Sequence, residues 1–120
     1  MKLELKNTQL RRLNKVFHNG VIKTIDCISP GYVTFIEDRN EQSIFGEWID
    51  LDNIDFILLT EEVLFKHGFK KEECFYYIHD VWLEHLGGGI LRVDGLDLDN
   101  RIKYLHQIQN TVYILANQEL

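Results

Sequence analysis

The side chains of this sequence equipped to hold a metal or move a proton are five histidines, two cysteines and two runs of aspartate. Cys74, His79 and His85, with His67 upstream, have the donor types of a zinc site. Their spacing argues against one. Cys74 and His79 lack the short separation of a zinc-binding pair, and residues five apart on a strand point to opposite faces. The aspartates of "DLDNID" (50–55) and "DGLDLDN" (94–100) offer oxygen ligands. Neither run has the alternating acidic positions, glycine and closing bidentate glutamate that wrap calcium. Turn-forming and helix-capping aspartates account for both.

His106 and Asn110 stand one helical turn apart in "HQIQN" (106–110), where they suit a ligand, a partner backbone or the loop carbonyls at a core's edge. "GGG" at 87–89 lacks the lysine and hydroxyl residue of a phosphate-binding loop and joins strand to strand, so it is expected to be a hairpin tip. No G-x-S-x-G or H-E-x-x-H occurs, and neither cysteine is assigned a base. The expectation is no catalytic residue, no metal and no cofactor.

Aromatic and basic side chains remain. Tyr76, Tyr77, Trp82 and Trp48 exceed what a core of this size needs, and alternation turns one of Tyr76 and Tyr77 away from the packed side. An exposed aromatic beside the glycine run suits a contact surface, because Tyr and Trp dominate interface hot spots. Residues 1–25 carry six basic side chains, among them Arg11, Arg12 and Lys15, against Glu4 alone. The remaining residues hold 7 basic and 18 acidic groups, which brings the total to −6. The bulk of the chain repels a polyanion, so nucleic acid is disfavoured as a partner except through the basic segment.

These side chains need elements to position them. At 120 residues and 45% hydrophobic, the chain has enough apolar surface for a packed core without staples. The opening "MKLELKNTQL" lacks the apolar stretch of a secretory leader, and no apolar run approaches the roughly 18 residues that cross a bilayer. With two distant cysteines, a reducing cytoplasm is expected.

Asn19-Gly20 predicts a two-residue hairpin between "LNKVFH" and "VIKTIDCIS". "SPG" (29–31) turns the chain into "YVTFIE", with Val33 and Phe35 on one face and Tyr32, Thr34 and Ile36 on the other. "IFGEWIDL" (44–51) and "IDFILL" (54–59) read as fourth and fifth strands. Thr60 and Gly68 mark the two ends of a short helix. "FYYI" and "VWLEHL" form hairpin arms around His79-Asp80, "ILRV" follows the glycines, and "DGLDLDN" is expected to turn and cap the last helix through Asp99 or Asn100. There Ile102, Leu105, Ile108, Val112 and Leu115 form an apolar stripe, with His106 and Gln109 on its borders.

The pattern is α+β: an SH3-like small β-barrel lobe (1–59), then a lobe (60–120) made of a short helix, an antiparallel β-meander and a C-terminal helix packed on sheet.

"LTEEVLFKHGF" (59–69) and "YLHQIQNTVYILANQEL" (104–120), with "WIDLDNIDFILLTEE" (48–62) before them, resemble a pattern in short bacterial and phage-borne proteins. The resemblance covers most of the chain in order. Phe56 and Leu58 depart from prolines usual there, "LRRLN" (10–14) stands for "LRIGN", and "LANQEL" lacks the family's glycine, which removes an expected helix cap. The family brings no activity to transfer, and its setting implies an accessory or structural part. The resulting expectation is a non-enzymatic, cytoplasmic module that binds a protein or itself, with no membrane partner. The expected contact surface comprises Tyr76, Tyr77, Trp82, Arg11, Arg12, Lys15, His106 and Asn110. A nucleic-acid accessory protein and a small metal-dependent hydrolase are the alternatives.

Overall fold

Alternating β-branched and aromatic residues in the first half and two capped helices in the second give a mixed α+β chain with two antiparallel sheets. The computed structural model describes residues 10–40, 46–86, 89–94 and 96–120. The chain divides into two compact units, Met1–Ile57 and Leu58–Leu120.

The first unit is a five-stranded sheet in the order β4-β3-β2-β1-β5. Its strands are β1 (Lys15–His18), β2 (Val21–Ser29), β3 (Tyr32–Phe35), β4 (Ile49–Asp50) and β5 (Ile54–Asp55). Asn19 and Gly20 both take positive φ, 53° and 76°, and close the β1–β2 hairpin with His18 opposite Val21. A register shift between Ile25 and Ile28 breaks strict alternation. Leu10, Val16, Ile25, Val33, Phe35, Leu51 and Ile54 make the core. Thr34 is also buried, against the expected alternation, and its hydroxyl accepts a hydrogen bond from the Cys27 amide at 3.1 Å. Ile36 leaves the strand for a 3-10 turn over Ile36–Asp38.

The fourth strand is shorter than expected. Gly46–Trp48 is irregular, Leu51 belongs to a second 3-10 turn (Leu51–Asn53), and residues 41–45 lie outside the described set. Asp50 explains the stop. Its carboxylate accepts from the Asp52 amide at 2.9 Å and so favours a turn over a ladder.

The second unit is a meander in the order β10-β9-β8-β7-β6, accompanied by two helices. Helix α1 (Glu61–Lys66) starts at Thr60, whose hydroxyl accepts from the Val63 amide at 3.1 Å, and is followed by Gly68 at φ 95°. Removing that cap in Thr60→Ala is expected to cost about 1 kcal/mol, read as a lower urea midpoint with unchanged slope.

Strands β6 (Lys70–Glu72), β7 (Phe75–Ile78), β8 (Val81–Leu86), β9 (Gly89–Val93) and β10 (Leu96–Ile102) follow. The β7–β8 turn is the expected His79-Asp80, with Ile78 opposite Val81 and His79 at φ 51°. Of the glycine tip expected at 87–89, Gly89 opens β9 opposite Leu86, and residues 87–88 lie outside the described residues. "DGLDLDN" turns only at its start, at Asp94; residues 96–100 belong to β10 and do not cap the last helix as predicted. The final helix, α2 (Leu105–Ala116), is instead capped by Gln107, whose amide oxygen accepts from the Lys103 and Tyr104 backbone at 3.0 and 3.1 Å. Asn117, in the left-handed region at φ 54°, ends it. Helix α2 lies against β8. Among the described residues, no helix is long and apolar enough to cross a membrane.

Candidate functional site

The alternation of β7 decides which aromatics are available. Tyr76 faces inward and is only 5% exposed, so it belongs to no open surface, which corrects its place among the contact residues. Its hydroxyl donates to Glu61 at 3.0 Å, and the Lys71 ammonium reaches the same oxygen at 2.8 Å while lying 5.6 Å from the Tyr76 ring centroid. Burial, reinforced by the Glu61 carboxylate, pushes the Tyr76 phenol above its ordinary value, and bonding to Glu61 raises Lys71. The tyrosine is a buried tether between α1 and the sheet.

The opposite face carries the site. The registers place Glu72, Phe75, Glu84 and Arg92 in one cross-strand row, and Lys70, Tyr77 and Trp82 in the next. Tyr77 stacks on Trp82 with centroids 4.5 Å apart and planes 23° from parallel. Phe75 also meets Trp82, edge-on at 6.2 Å and 75°. Phe75 is 36% exposed and Trp82 40%. Phe75, Trp82, Glu84 and Arg92 line a pocket of about 180 Å3, in which Arg92 Nη1 donates to Glu84 Oε2 at 3.2 Å.

Trp82 is held by its backbone. Its amide donates to the Asp94 carboxylate at 2.8 Å, and the Asp94 amide donates back to the Trp82 carbonyl at 2.8 Å. Asp94, at φ 51°, adopts the left-handed conformation that Asp tolerates. Asp94 therefore fixes the Trp82 backbone.

The sequence singled out Tyr77 and Trp82, and the structure stacks them. It missed Phe75, Glu84 and Arg92. Phe75 was legible as the residue two before Tyr77 on a strand, but Glu84 and Arg92 depend on the β8–β9 register, which no local signal supplies.

The other expected contact residues lie elsewhere. His106 is fully buried on α2, its ring stacked 6.0 Å from Tyr104, and is corrected from border to core. Burial pushes its pKa down to about 4. Gln109 is also buried, and Asn110 half-buried, whereas Leu115 at the far end of the expected stripe is 51% exposed.

Arg11, Arg12 and Lys15 belong to the first unit, where much of their charge is used internally. Arg12 and Arg39 both reach the buried Asp26 carboxylate, Arg12 at 3.5 Å. The bond from Arg39, opposed by burial, holds Asp26 below its ordinary pKa. Lys15 donates to Thr24 at 2.5 Å and Lys23 to Asp38 at 2.7 Å. Lys2 and Lys6 lie outside the described residues. Among the described residues, no three His, Cys, Asp or Glu side chains gather as a metal would need.

Comparison with protein-family models, with curated proteins and with solved structures finds no match to this chain.

Proposed function

We propose that the protein is a non-enzymatic interaction module, an accessory or structural part of bacterial or phage origin, whose contact face is the strip of Phe75, Tyr77 and Trp82. The observation that carries this reading is an exposed indole on a sheet face, its own backbone fixed by two hydrogen bonds with Asp94 and its ring in contact with two further rings. Large, rigid aromatics lose little side-chain entropy on binding and give much buried area, which is why they anchor interfaces. The module acts on a protein partner or a second copy, in the cytoplasm, where the exposed free Cys74 suits a reducing medium. The first unit is an SH3-like lobe. That assignment is supported by the strand order β4-β3-β2-β1-β5 and the 3-10 turn between β4 and β5.

A nucleic-acid accessory role is the second reading. Stacked rings on a sheet face suit bases, but a net charge of −6 opposes it.

The test is light scattering together with affinity capture from host extract, comparing wild type with Phe75→Ser/Trp82→Ser. Both substitutions sit at exposed positions, and circular dichroism should show the fold retained. Wild type is expected to self-associate or to retain a partner, and the double variant to lose that association by tenfold or more (about 1.4 kcal/mol). A wild-type monomer that captures nothing contradicts the reading.

A further inference from the structure

Resting on the aromatic contact face proposed above, we infer that the pocket between Phe75, Trp82 and Glu84 takes an arginine side chain from a basic segment of a partner polypeptide. Size argues first. At about 180 Å3 the pocket is smaller than the roughly 300–1,000 Å3 of small-molecule sites, and a single side chain fits it better than a cofactor does.

Charge argues second. Phe75 lies directly between two carboxylates, Glu72 on β6 and Glu84 on β8. The Asp94 carboxylate bonds the Trp82 amide, and the cations of the same rows are Lys70, opposite Tyr77, and Arg92, opposite Glu84. Residues 58–120 as a whole hold six basic and ten acidic side chains. Ring faces attract cations and carboxylates complete the attraction, whereas a phosphate chain meets repulsion.

Geometry argues for arginine over lysine. A planar guanidinium stacks on an indole while donating in its plane to a carboxylate, and a compact ammonium does not. Arg92 already displays the preference, since its guanidinium reaches Glu84 from the pocket wall. In that pair the Arg92 side chain is 48% exposed and Glu84 only 20%, so the guanidinium can turn into solvent while the carboxylate stays in the pocket. An incoming guanidinium takes the Glu84 oxygens and the Trp82 face, and Arg92 turns outward.

The experiment uses Trp82 as its own reporter. The chain has two tryptophans, so Trp48→Phe leaves Trp82 as the sole indole. Its emission is titrated with an acetylated peptide of three Gly-Arg repeats, the same peptide with citrulline for arginine, a Gly-Glu counterpart, and oligothymidylate. The expected result is a saturable change with the arginine peptide and about tenfold weaker binding of the neutral citrulline peptide. Glu84→Gln is expected to weaken arginine binding by a similar factor. Arg92→Gln should strengthen it, and because the two variants move in opposite directions, a general loss of fold cannot imitate the pattern.

Equal binding of arginine and citrulline peptides, or preference for the acidic peptide or the oligonucleotide, overturns the cationic ligand and leaves the contact face standing. Silence from every probe also overturns the inference. If association by light scattering or capture still depends on Phe75 and Trp82, the contact-face reading survives. If it does not, both fall.

Discussion

Lowering the pH from about 7 to about 4 is expected to cost the folded protein about 3 kcal/mol, and His106→Leu should remove most of that slope. His106 is buried, and burial drops its pKa from 6.5 to about 4. In the unfolded chain the imidazole takes up a proton near pH 6.5, whereas the folded chain resists until about 4. Between those values the unfolded state binds more protons, so stability is complete above 6.5 and falls as the pH drops through the window. Each pKa unit is worth about 1.4 kcal/mol, which sets the size of the loss. Urea unfolding at a series of pH values checks it. The window is separable from that of Asp26, whose carboxyl titrates below 3.8 in the fold and weakens it only in stronger acid. A slope that persists in His106→Leu between pH 6.5 and 4 would assign the loss to another group.

Phe35→Ala is expected to cost about 3–5 kcal/mol, the range for deleting a buried aromatic ring. Phe35 is fully buried in the core with Val16, Ile25, Val33, Leu51 and Ile54, and its ring lies 5.5 Å from that of His18. None of these neighbours sits on a long helix able to slide inward, and each strand is pinned by its ladder, so the cavity stays open. The measurement is the urea midpoint at unchanged slope. A loss below 1 kcal/mol would mean the core closes around the gap.

Sequence is a good guide where a local device decides the structure. Asn19-Gly20, Thr60 with Gly68, and His79-Asp80 were read correctly because each is a local device, fixed by a backbone angle or a single cap. The differences arise where strand pairing, not residue type, decides the outcome. Lys70–Glu72 form a strand although all three are exposed and charged, because pairing with β7 supplies the ladder. "DLDN" joins β10 for the same reason, against the low strand propensity of Asp and Asn.

The last helix is the clearest case. Polarity placed His106 and Gln109 at its rim and Leu115 in its stripe, yet the two polar residues are buried and Leu115 is open. A stripe drawn by polarity alone assumes the sheet below extends under the whole helix. Only the first two turns, with Leu105, Ile108 and Val112, are covered. The same limit explains the candidate site. Tyr77 and Trp82 were visible as surplus aromatics, while the row of Glu72, Phe75, Glu84 and Arg92 exists only once three strands have found their register.

The most direct test of the contact face is site-specific photocrosslinking in the host, with a benzophenone amino acid replacing Trp82 or Phe75 in turn. Tyr32, an exposed aromatic of the other sheet, serves as control. Discrete adducts from positions 75 and 82, with none from position 32, are the outcome this account predicts. Adducts from position 32 alone, or from no position, would contradict it.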